Sequence, residues 1–229
     1  MTPKVIFKFD KEKDLWNNWH RCNRDNKWGV SAVSLEIKNA CEGKSFEESK
    51  KELAKILSPI HNSYIIELDV KSVEEAWMKI EEEFFRRMDK IMKHEYTKNI
   101  NAYLTTAKGC PYDEDEPSFM FSLRSSLPDK LMISGHEIMH LYFHKFYWDK
   151  IEKRIGKEKT DDLKEALTVL LNIEFKDLWF SEDKGYEPHK ELREFIVKSW
   201  GEEKDFDKLI KKCIKWFKEN EIKYLETKK

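Results

Sequence analysis

Apolar residues recur along most of the chain at intervals of three and four, the repeat of an amphipathic helix. The longest run, Val73, Ala76, Trp77, Ile80, Phe84, Met88, Ile91 and Met92, predicts one helix over 73–94, with Ser72 and Glu75 as its capping box. Ser45 and Glu48 repeat that signature, so a helix runs from there to about Leu57 and stops at Pro59. Residues 63–70 read as a short extended segment. Trp16, Trp19 and Trp28 suggest a helix packed by aromatics. Residues 4–9 form a short strand, and the stretches Ala102-Tyr103-Leu104-Thr105-Thr106 and Phe119-Met120-Phe121-Ser122-Leu123 predict two more, over 101–107 and 118–125. The acidic turn 113–116 would join those two as an antiparallel pair.

Pro128-Asp129 opens a helix that ends near Gly156, and Thr160-Asp161-Asp162 opens the next, to about Leu178. Two amphipathic helices, about 189–200 and 205–225, close the chain. The expected fold class is therefore α+β and helix-rich, with a small antiparallel sheet packed on one long helix. Residues 1–70 form an N-terminal helical part packed on a core made by 71–229, as one continuous domain. Eight Trp and 14 Phe at helical spacing read as the material of that core.

Composition changes this picture little. The 229 residues hold 43 basic and 44 acidic side chains, a formal charge of −1, so nothing electrostatic calls for nucleic acid or an anionic membrane as partner. Lys and Glu are interspersed, as on solvated helix faces. Four scattered cysteines, Cys22, Cys41, Cys110 and Cys213, make neither a disulfide framework nor a zinc ribbon. No stretch reaches the ~20 apolar residues of a membrane span, and the N-terminal apolar run is too short for a signal peptide. A cytoplasmic protein is the expectation.

One stretch names a chemistry: His136-Glu137-Ile138-Met139-His140. Histidines four apart lie one helical turn above each other, so both imidazoles reach one ion, and the intervening Glu137 flanks a water held there. Catalytic zinc takes three protein ligands. His144 continues the spacing, but eight residues of straight helix carry it about 12 Å from His136. The next helix offers Glu165 within a nearly continuous apolar run, where a carboxylate is costly unless paired or bound to metal. Glu165, Thr168 and Asn172 share one stripe, which suits a ligand backed by two hydrogen-bonding side chains. Asp161 and Asp162 are the rival third ligands, followed by Glu158 and Glu174.

With His136-Glu-x-x-His140 on one helix and Glu165 on the next, the chain resembles the gluzincins, the thermolysin-like branch of the zincin metallopeptidases, over about residues 70–175. The resemblance implies a zincin-like core and Zn2+ held by His136, His140 and Glu165. It also implies Glu137 as general base toward zinc-activated water, and a peptide or protein as substrate. An oxyanion donor would come from a later segment, where Tyr186 and His189 are the candidates. Cys110 invites comparison with the deformylases, which add an upstream cysteine ligand, but its Lys-Gly-Cys-Pro-Tyr context differs from theirs. The alternatives are a regulatory protein of this type that cleaves one partner, and a non-catalytic zinc-binding or interaction protein. Residues 1–70 would restrict access to the cleft.

Overall fold

The computed structural model describes residues 2–24, 33–222 and 224, so Trp28 lies outside the described residues. The chain opens with strand β1 (Val5–Phe9) and helices α1 (Lys11–Asn23), α2 (Leu35–Cys41), α3 (Phe46–His61), α4 (Ile65–Trp77) and α5 (Glu81–Met92). Strands β2 (Ile100–Thr105), β3 (Tyr112–Asp113) and β4 (Ser118–Ser122) follow. The rest is helical: α6 (Leu127–Phe146), α7 (Trp148–Ile155), α8 (Lys157–Leu167), α9 (Val169–Glu174), α10 (Lys176–Trp179), α11 (Lys190–Glu202) and α12 (Phe206–Glu219). The result is a helix-rich fold with one small mixed sheet, ordered β1-β2-β4-β3. Among the described residues no helix is long and apolar enough to cross a membrane.

Strands β2 and β4 run parallel rather than antiparallel, as do β1 and β2. The acidic turn closes a tighter hairpin than the sequence suggests. The Asp113 carboxylate accepts the backbone N–H groups of Asp115 (3.0 Å) and Glu116 (3.1 Å), which folds two-residue β3 back against β4. With β3 outermost, β4 re-enters between it and β2, in the direction of β2. All five β4 residues are buried, consistent with an inner strand covered by α6.

Helix breaks also depart from the apolar periodicity. The run over 73–94 is two helices, because the backbone turns at 78–80, where Ile80 N–H donates to the Trp77 carbonyl (2.9 Å). Glu81 then anchors the start of α5 to β1, accepting from Val5 N–H (2.8 Å) and Lys4 Nζ (2.7 Å). Ser72 is no cap: it lies inside α4 and its hydroxyl donates to the Leu68 carbonyl (2.7 Å). Residues 65–70 are helical rather than extended, since Ile66, Val73 and Trp77 bury one face of α4. The Ser45–Glu48 capping box does form, but α3 continues through Pro59 to His61, so the proline falls in its last turn and ends it two residues later.

One large core joins the sheet to α4–α12, with Trp77, Phe84, Phe119, Phe121, Tyr142 and Phe143 at its centre. A satellite core of Leu15, Ile37, Ala40, Cys41, Leu53 and Leu57 holds α1, α2 and α3 together. Residue 70 falls inside α4, and β1 contributes Val5 and Phe7 to the main core. Buried Asp14 ties α1 to the end of β2, accepting from Thr105 Oγ1 (2.6 Å), Thr106 N–H (2.7 Å) and Thr106 Oγ1 (2.8 Å). It also meets His61 Nε2 of α3 at 2.7 Å.

Candidate metal centre

Helix α6 starts where Ser126 accepts the N–H of Asp129 (3.3 Å), with Pro128 in the first turn. It crosses the core face down, and Gly135 permits that approach: a Cβ there would stand 2.6 Å from Trp179 Cη2 and 3.1 Å from Phe84 Cε2. The next residue is His136. Its ring and that of His140 face the same cleft, with centroids 4.3 Å apart. His136, Glu137 and His140 each offer a ligand atom within 4.8 Å of the others.

The Glu165 carboxylate arrives from α8. One oxygen lies 3.6 Å from His136 Nε2 and the other 3.3 Å from His140 Nε2. Ligands held about 2.0–2.2 Å from a tetrahedral zinc stand about 3.3–3.5 Å from one another. The carboxylate thus stands within about that spacing of both rings, beside the His136, Glu137 and His140 group that could hold a metal ion. Unsatisfied atoms point the same way: Glu137 Oε2 and both His140 nitrogens are buried without a hydrogen bond of good geometry.

Burial sets the protonation states. It pushes His140 down to about 3, keeping the ring neutral, as a ligand must be. It pushes Glu137 up to about 8, with the Glu165 charge adding to the rise and His136 opposing it. Burial would likewise raise Glu165, but its contacts with the His140 and His136 rings and the charge of Lys164 hold it well below the ordinary carboxylate range. For His136, burial alone would lower basicity, and Asp183 outweighs it to raise the ring well above the usual value. An ion at Nε2 has to displace that proton.

Behind the two rings stands a polar layer. Asp183 Oδ2 lies 2.5 Å from His136 Nδ1, so the ring presents Nε2 to the cleft. Asn172 grips Asp183 through both backbone groups, donating to its carbonyl and accepting its N–H, each at 2.8 Å. Arg193 adds a bond to the same carbonyl (2.6 Å) and one to Thr168 Oγ1 (3.0 Å). The stripe Glu165, Thr168, Asn172 thus faces inward, and its two neutral members support His136 through Asp183 and Arg193.

The structure distributes the remaining candidates unevenly. Asp161 lines the cleft and pairs with Lys164 (3.0 Å). Asp162 turns away: it accepts from Tyr224 at 2.5 Å and faces His189 Nε2 at 3.3 Å. His189 is fully buried in that contact and is not part of the cleft wall, whereas Tyr186 is. His144 stacks on Trp148 and meets the Tyr112 hydroxyl at 2.7 Å. Cys110 lines the cleft, but burial first and the Glu137 charge second push its thiol up to about 12.

Two residues escaped the sequence reading. Asp183 is 47 positions from the ring it orients. Lys164 is buried beside Glu165, with its ammonium 3.0 Å from Glu165 Oε1, 3.0 Å from Asp161 Oδ1 and 2.8 Å from the Tyr112 hydroxyl. Its only sequence signal is a lysine inside a run otherwise fit for the core.

The cleft encloses 870 Å³ between α6 and α8 on one side and α1 on the other, where Trp16, His20, Arg21 and Arg24 form the wall. Comparison with known proteins finds no matching family model, no matching curated protein and no matching solved structure.

Proposed function

We propose that the protein is a zinc-dependent metallopeptidase of gluzincin-like arrangement, with His136, His140 and Glu165 as the ligands and Glu137 as general base. The observation that carries this reading is the approach of both Glu165 oxygens to His136 Nε2 and His140 Nε2 at 3.6 and 3.3 Å. When bound, zinc supplies an acidified water and a polarised carbonyl. Glu137 has the burial and the unpaired Oε2 to take a proton in the cleft and pass it to a leaving amine. With no ion bound, burial raises Glu137 to about 8, so a nearby cation would be needed to free its carboxylate at neutral pH. Asp183 fixes the His136 ring, and Lys164 holds Glu165 in place.

Tyr186 and the Lys164–Tyr112 pair, which line the cleft, would be the donors toward negative charge developing on a substrate carbonyl. Backbone recognition falls to the outer sheet edge, because residues 108–112, which lead into β3, line the cleft. A zincin-like core is inferred from this same placement of a sheet edge beside a His-Glu-x-x-His helix.

The test is hydrolysis of an unstructured peptide library by zinc-loaded protein, read by mass spectrometry. Cleavage should fall at least ~10³-fold in Glu137→Gln and in chelator, and return on adding zinc to the wild type. Equal cleavage by Glu137→Gln would refute the assignment.

A further inference from the structure

Helix α1 brings cations to the cleft that the proposed chemistry leaves unused. Arg21 is half-buried, and neither it nor its neighbours Arg24 and Lys108 makes a side-chain hydrogen bond or ion pair among the described residues. The acids of the cleft wall, Glu137 excepted, are already engaged. Asp161 and Glu165 share Lys164, Asp183 takes His136, and Asp129 accepts from Ser126. Glu182 and Glu114 pair with Lys176 and His144. Arg21, Arg24 and Lys108 therefore form a local cluster of cations on the α1 side of a cleft that seven carboxylates and five Lys or Arg side chains line overall.

The seat of Arg21 is constructed rather than incidental. Asp14, Asn17, Asn18 and Arg21 lie on one face of α1, and the first three are buried anchors. Asn17 donates to Thr105 Oγ1 and to the Gly109 carbonyl, both at 2.9 Å. One turn further on, the Arg21 guanidinium lies over Gly109 so closely that a Cβ there would stand 2.5 Å from its Cζ. A helix bolted to the sheet at one turn thus sets a planar cation at the next. Burial and the adjacent Arg24 charge both weaken the Arg21 cation, and a bound anion would relieve both. Arg21, Cys110 and Glu137 line the same cleft.

We propose that Arg21, supported by Arg24 and Lys108, binds a carboxylate of the substrate, so that the cleft selects acidic peptides. This rests on the reading of the site as a peptidase. A guanidinium held against the Gly109 backbone has a planar fork that matches a carboxylate, which a lysine cannot. The carboxylate is either an Asp or Glu side chain or a peptide C-terminus, and the two share this chemistry.

The test is fluorescence polarisation with zinc-loaded, full-length Glu137→Gln, which binds without turnover. The probes are labelled alanine-rich peptides carrying Glu, Gln or Lys at each position in turn, each as free acid and as C-terminal amide. The expected result is roughly tenfold tighter binding of a peptide with a carboxylate than of its neutral counterpart. Loss of the preference on amidation identifies the C-terminus as the group held, and loss on Glu-to-Gln replacement identifies a side chain. Arg21→Gln should abolish the preference and Arg21→Lys should reduce it. Gly109→Ala should abolish it while leaving every charge in place, because it takes the seat of the guanidinium. Thermal melts of each variant should match the parent within a few degrees.

Equal binding of charged and neutral peptides, or a preference that survives Arg21→Gln, would overturn the proposal. Hydrolysis is measured separately on the wild type, so the two readings fail independently. Cleavage without carboxylate preference refutes only the Arg21 assignment, and preference without cleavage refutes only the peptidase.

Discussion

Glu137 carries a pH signature that needs no substrate to observe. In the folded, metal-free protein its proton is held to about pH 8, whereas the unfolded chain releases it near the ordinary carboxylate value. The stability due to the neutral form is therefore complete below that ordinary value and is lost as pH rises toward 8. Glu137→Gln keeps the neutral shape at every pH. Its metal-free form should be more stable than wild type at pH 8, by upward of about 1 kcal/mol, and equal to it near pH 4. Denaturant melts at the two pH values measure this. Asp183→Asn tests the layer behind the ligands: the fold should persist while zinc affinity drops about 10–100-fold, read by competition with a chromophoric chelator. His136, Glu137, His140 and Glu165 were legible because helical spacing and a charge in an apolar run are local signals. Asp183 was not, since only the tertiary fold brings it to His136, and Tyr186 and His189 looked alike on one turn until burial separated them.

At the scale of elements, the apolar repeat located most helices but not their breaks. One periodic run covered both α4 and α5, because a turn at 78–80 keeps Trp77 and Phe84 in the same core and leaves the pattern nearly unbroken. Strand direction was equally hidden: β2 and β4 were located, but the internal bonds of Asp113 that create the β3 hairpin are what make them parallel. Helix α6 packs closely at Gly135. Gly135→Ala should lower stability by about 1–3 kcal/mol through overpacking against Trp179 and Phe84, despite the gain in helix propensity. Calorimetric melting of the metal-free protein checks it, and a rise in Tm would contradict the packing described for α6.

For the whole molecule, the N-terminal 70 residues are not a detachable cover. They supply β1 to the sheet, Val5 and Phe7 to the main core, and Asp14 to the end of β2. Their removal should therefore abolish cooperative unfolding rather than release activity, as circular dichroism melts would show. Restriction of the cleft by α1 is better probed by single replacements such as Trp16→Ala. The sequence foresaw a helix-rich α+β chain, yet the wall that α1 gives to the cleft arises only from tertiary packing.

The central claim, that α6 and α8 build a catalytic zinc site, is tested most directly by metal analysis of the purified protein and three variants. Plasma mass spectrometry under zinc-replete conditions should find about one zinc per chain in the wild type and in Glu137→Gln. Zinc should be lost in His136→Ala and strongly reduced in Glu165→Ala. A wild-type protein without zinc, or a His136→Ala variant that retains it, would contradict the account.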